Sequence, residues 1–72
     1  MKEFSDRLNA LMESQNVTAA DLVNALKIDR KAIYNYRNDR RVPPAETLIA
    51  LADHFGVSLD YLVGRSGDPK IH

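Results

Sequence analysis

Apolar positions recur along this chain at helical spacing, and no segment alternates as a strand requires. Phe4, Leu8, Leu11 and Met12 stand at i, i+4, i+7 and i+8, which places them on one stripe of a first helix. That helix runs out near Gln15-Asn16, where a turn-forming Asn precedes the next start. Leu22, Val23 and Leu26 mark a second helix over about residues 19–26, and Ala19, Ala20 and Ala25 are small enough to let another helix approach it. Ala32, Ile33 and Tyr36 share one side of a third, over roughly residues 30–38. Leu48, Leu51, Ala52 and Phe55 give a fourth its stripe, and residues 59–63 form a short fifth. The pattern predicts an all-α domain of five helices over residues 1–64.

Local signals agree with these boundaries. Val17-Thr18-Leu22, Ile28-Asp29-Ile33 and Val57-Ser58-Leu62 repeat one device. A capping side chain is placed to accept an early helical N–H, and flanking apolar residues close over it as a staple. Asp21, three residues past Thr18, adds an aspartate version of the capping box at the positive end of the helix dipole. Pro43 disfavours helix at Val42, and Pro44 suits the opening position of the fourth helix. Gly56 and Gly64 stand where left-handed caps end the fourth and fifth helices. Residues 65–72, RSGDPKIH, have no periodicity and are expected to fray as a C-terminal tail.

Seventy-two residues make one domain. A chain of this size buries about 60% of the surface its unfolded form exposes, so its core is small and no cofactor or small-molecule cavity is expected. The chain has no cysteine, which excludes a disulfide framework and a thiolate metal site and makes a reducing cytoplasm the default location. The amphipathic start MKEFSDRLNALMESQ is neither a signal peptide nor a membrane span. His54 has no partners at metal-ligand spacing and reads as a surface histidine. Gly64 and Gly67 read as turn residues, not as a phosphate-cradling loop. No metal, no cofactor and no enzymatic activity are expected.

Charge changes the picture. The formal net charge is zero, yet residues 27–41 hold Lys27, Arg30, Lys31, Arg37, Arg40 and Arg41 against only Asp29 and Asp39. The remainder is net acidic, so the molecule has a directional field that orients it on a polyanion. On a helical wheel Arg30, Lys31, Tyr34, Asn35 and Asn38 lie opposite the apolar side of the third helix, with Arg37 at the boundary. Cations pair with guanine acceptors and an amide pairs bidentately with adenine, so this face suits the major groove of DNA. Arg40 and Arg41 follow it and suit phosphates.

Several of these features together resemble the XRE helix-turn-helix family of phage repressors and Cro proteins. The resemblance rests on Phe4 with Arg7-Leu8, Thr18 to Leu22, Ile28, Ile33-Tyr34-Asn35-Tyr36, Pro43, Glu46-Thr47-Leu48, Leu51-Ala52 and the run from Phe55 to Gly64. It implies a lambda-repressor-like fold in which Arg30, Lys31, Tyr34 and Asn35 face base edges. It also implies that Asp29, Asn38 and Arg40 lie near the sugar-phosphate backbone, Asp29 through N–H groups, since its carboxylate repels phosphate. The fifth helix and tail are a common dimer surface in that family, which implicates Tyr61, Val63 and Ile71, although Tyr61 fits ordinary packing equally well.

Three positions depart from the family pattern. Ala19 replaces a glutamine that holds a phosphate, which shifts affinity toward the arginines. Lys27 replaces a turn glycine at a cost of about 1 kcal/mol if its backbone is left-handed, while placing an amine within reach of a phosphate. Met12 and Arg37 replace a buried arginine–glutamate pair together, leaving Arg37 to meet Glu13, solvent or DNA. The resulting expectation is a cytoplasmic, sequence-specific double-stranded DNA-binding transcriptional regulator, a repressor acting as a homodimer on a palindromic operator. The alternatives are an antitoxin or partner-binding subunit with the same fold, and a structural module with degenerate DNA binding, motivated by Ala19, Lys27 and the zero net charge. Operator, inducer, sign of regulation and completeness of the chain are not legible in the sequence.

Overall fold

The computed structural model describes residues 2–71. Five helices follow in order: α1 Lys2–Ser14, α2 Ala19–Leu26, α3 Arg30–Arg37, α4 Ala45–Phe55 and α5 Leu59–Leu62. No strand occurs among the described residues. The stripes meet in one core, where Phe4, Leu8, Leu22, Ile33, Leu51 and Leu62 are almost fully buried. Met12 lies inside with them, so the loss of a charge at that position leaves an apolar contact. Phe4 of α1 meets the Tyr36 ring of α3 edge-on, centroids 6.3 Å apart, which fixes the two helices against each other.

Capping follows the expected plan at α2 and α5. The Asp21 N–H donates to Thr18 Oγ1 at 3.1 Å, and the Thr18 N–H donates to Asp21 Oδ2 at 2.9 Å. The Thr18 backbone N–H, and after it the Thr18 hydroxyl, hold the Asp21 carboxyl below the usual aspartate range. Ser58 accepts from the Tyr61 N–H at 3.0 Å. At α3 the expectation needs correction: Asp29 occupies the cap position in extended conformation, but its side chain makes no capping hydrogen bond. The entry of α3 is set by the staple instead, with Ile33 buried and Ile28 packed against the core. Pro44 likewise stands at the cap of α4, one position before the helix.

These geometries give opposite expectations for two similar substitutions. Thr18→Ala should cost about 0.5–2 kcal/mol, whereas Asp29→Ala should change stability by less than about 0.5 kcal/mol. Because folding lowers the Asp21 pKa, its contribution is present above the unfolded value and lost as pH falls through the folded one. Asp21→Asn should therefore flatten the acid limb of stability against pH, while Thr18→Ala, which keeps the backbone N–H on the carboxylate, should flatten it only in part. Urea midpoints across a pH series decide this, and a larger loss for Asp29→Ala would show that its carboxylate caps after all.

Polar ties complete the packing. Arg7 Nη1 donates to the Tyr61 carbonyl at 2.8 Å and the Ser66 carbonyl at 2.9 Å, with its guanidinium 4.0 Å over the Tyr61 ring. Gln15 Nε2 donates to the Phe55 carbonyl at 2.9 Å, satisfying the end of α4. At Gly64, φ is +85° and an added Cβ would lie 2.6 Å from Glu3 Cβ, so the α1–α5 contact admits no side chain there. The non-periodic tail is not free where described: the Ser58 N–H donates to the Pro69 carbonyl at 2.8 Å, and the Asp68 N–H donates to Ser66 Oγ at 3.0 Å. These bonds tie residues of the tail to one another and to the start of α5 without any apolar stripe.

Candidate nucleic-acid interface

The turn between α2 and α3 passes through Lys27 at φ 57°, ψ 37°, with its N–H donating to the Val23 carbonyl at 3.0 Å. A left-handed lysine carries the strain that glycine avoids. Lys27→Gly should raise stability by about 0.5–1 kcal/mol and the melting temperature by about 2–8 °C. A melting temperature that stays level or falls would remove the strain assignment.

This turn leaves Ile33 and Tyr36 of α3 buried and presents Arg30, Lys31 and Tyr34 to solvent, with Asn35 half-buried beside them. The four residues read as base-facing therefore do share one accessible side of α3. Tyr34 is 54% exposed, its ring lying outside the core cluster. The Arg40 guanidinium stands 5.6 Å from its centroid, and the Arg40 N–H donates to the Asn35 carbonyl at 2.9 Å. Arg40 is thus held beside the face by a neutral ring that leaves its charge intact. Lys27, Asp29 and Arg41 are exposed at the edges of α3. Asn38 ends the helix: its Nδ2 donates to the Tyr34 carbonyl at 2.7 Å, which leaves one amide N–H for any outside acceptor.

Arg37 has a partner that helical periodicity does not reveal. Its Nε donates to Asn9 Oδ1 at 2.7 Å, while Asn9 Nδ2 donates to the Arg37 carbonyl at 2.8 Å. This reciprocal pair joins α1 to the end of α3 on an exposed surface. The ion pairs Lys2–Asp6 and Arg65–Asp60 both lie outside the basic segment. Of the residues read as a dimer surface, Tyr61 packs on the core and under Arg7, Val63 is half-buried, and Ile71 is exposed. Ile71 instead lines a hollow of about 360 Å³ with Ile49 and Leu59, two exposed apolar residues that the helical stripes do not pick out. Among the described residues no cluster of His, Asp or Glu is arranged to hold a metal ion, and no helix is long and apolar enough to cross a membrane.

Comparison with known proteins agrees with this architecture. A family model described as a helix-turn-helix domain matches residues 6–67, and the chain belongs to that family. It is a family of binding domains, not of enzymes. Among similar proteins, all from Bacillus subtilis strain 168, the uncharacterized HTH-type transcriptional regulator YobD is 29% identical over 92% of the chain and 59% of its own length. The HTH-type transcriptional regulator ImmR is 32% identical over 82% of the chain and 46% of its own length. The uncharacterized HTH-type transcriptional regulator YqaE is 31% identical over 94% of the chain and 59% of its own length. The chain thus spans roughly half the length of these relatives. No solved structure matches it.

Proposed function

We propose that the chain is a DNA-binding transcriptional regulator that reads double-stranded DNA by laying α3 in the major groove, and that it acts as a repressor in the cytoplasm. The observation that carries this reading is the side of α3 left outside the core, where Arg30, Lys31, Tyr34 and Asn35 combine cations, an amide and a phenol on one accessible surface. Lys27, Arg40 and Arg41 surround it as phosphate ligands, joined by backbone N–H groups near Asp29 and by Asn38. The relatives named as transcriptional regulators support the same role.

Two copies bind a palindromic operator in this reading, meeting through the α5 and tail residues Tyr61, Val63 and Ile71, together with Ile49 and Leu59, which share the hollow that Ile71 lines. A two-fold pair would set its recognition helices about 34 Å apart, one turn of DNA. Site selection from a random duplex library followed by sedimentation tests this: dyad-symmetric sites carrying two protomers are expected. One protomer on sites without a dyad would overturn the dimer. The same apolar patch favours a second reading, in which it seats a different protein and the chain serves as an antitoxin or partner-binding subunit. Selection that enriches no site at all would favour that reading.

A further inference from the structure

The reciprocal pair between Asn9 and Arg37 lies beside a hollow of about 530 Å³ whose lining includes Asn9, Arg30, Tyr34, Arg37 and Asn38. Two guanidiniums therefore border one concavity that opens next to the proposed reading face. Arg37 is gripped there by an amide. A carboxylate in place of Asn9 would orient the guanidinium but cancel its charge, whereas an amide orients it and leaves the full positive charge for an outside anion. The grip uses Nε only, so the terminal nitrogens, which carry four N–H donors, remain for a tetrahedral oxyanion.

We propose that Arg37 is a DNA phosphate ligand and that Asn9 is its positioning residue, which together form a backbone clamp tied to α1, separate from Arg40 and Arg41. The inference rests on the DNA-binding reading. The clamp gives no sequence information: it fixes how deeply and at what angle α3 sits, because Asn9 ties the same guanidinium to α1 that holds the phosphate.

The test is fluorescence anisotropy of wild type, Arg37→Gln, Asn9→Asp, Asn9→Ala and the Asn9→Asp/Arg37→Gln double variant on selected and scrambled duplexes of equal length across a salt series, with thermal melts of each. Arg37→Gln should weaken both duplexes alike and reduce the slope of log affinity against log salt by about 0.9, one phosphate contact. Asn9→Asp should mimic it by pairing with the guanidinium, and its effect should shrink in the Arg37→Gln background. Asn9→Ala should lower affinity while leaving the slope unchanged, since the charge stays. Slopes of Arg37→Gln and Asn9→Asp equal to wild type would overturn the clamp, whatever the melts show, and leave the DNA-binding reading standing. Absence of salt-dependent duplex binding by wild type would instead remove that reading, and the clamp with it.

Discussion

Phe4→Ala should cost about 3–5 kcal/mol and leave little of the fold. A 72-residue domain has about 4–11 kcal/mol of stability in total. Phe4 is 1% exposed, and its ring closes against Tyr36 on the back of α3. Its removal therefore opens a cavity at the contact that holds α1 to the proposed reading helix, and a close-packed core cannot fully collapse into it. By contrast Met12→Leu, a volume-conserving change in the same core, should cost less than about 1.5 kcal/mol. Denaturant titrations of the three proteins decide the point. Similar midpoints for Phe4→Ala and wild type would mean that the Phe4–Tyr36 contact does not organise the core.

That core was legible because apolar side chains at helical spacing announce which face is buried, and Phe4, Leu8, Leu22, Ile33 and Leu51 all stand on such stripes. Thr18 with Asp21 was legible for the same local reason: the box is built within four residues. Asp29 shows where local reading overreaches, since its residue type fits a cap but the backbone entry of α3 is already held by Ile28 and Ile33. What the sequence did not disclose are ties between polar groups far apart in the chain. Asn9 and Arg37 are 28 residues apart, Arg7 and Ser66 are 59 apart, and neither pair has a periodicity to mark it. The tail was unreadable for a further reason: the bond from Ser58 to Pro69 is made by backbone atoms, which every residue carries.

The exposed side of α3 and the basic residues around it make different demands on a duplex, and the two groups should fail differently. Arg30→Ala or Asn35→Ala should cost roughly 1–3 kcal/mol on the selected site and relax preference at one base pair per half-site, with little loss on scrambled DNA. Lys31→Ala should behave in the same way. Arg40→Ala and Arg41→Ala should weaken all sequences alike, each reducing the salt slope by about one contact. Tyr34 stands between the groups, because it belongs to the reading face while its ring supports the Arg40 guanidinium. Tyr34→Ala should therefore lose affinity on both duplexes, more on the selected one. Tyr34→Phe, which keeps the ring, should restore binding to scrambled DNA and leave only the deficit due to the hydroxyl. Binding of these variants to both duplexes across a salt series resolves the assignment. If Arg30, Lys31 and Asn35 lose equally on selected and scrambled DNA, α3 is not a sequence reader, and degenerate DNA binding or the partner-binding reading of the Ile49, Leu59 and Ile71 patch takes its place.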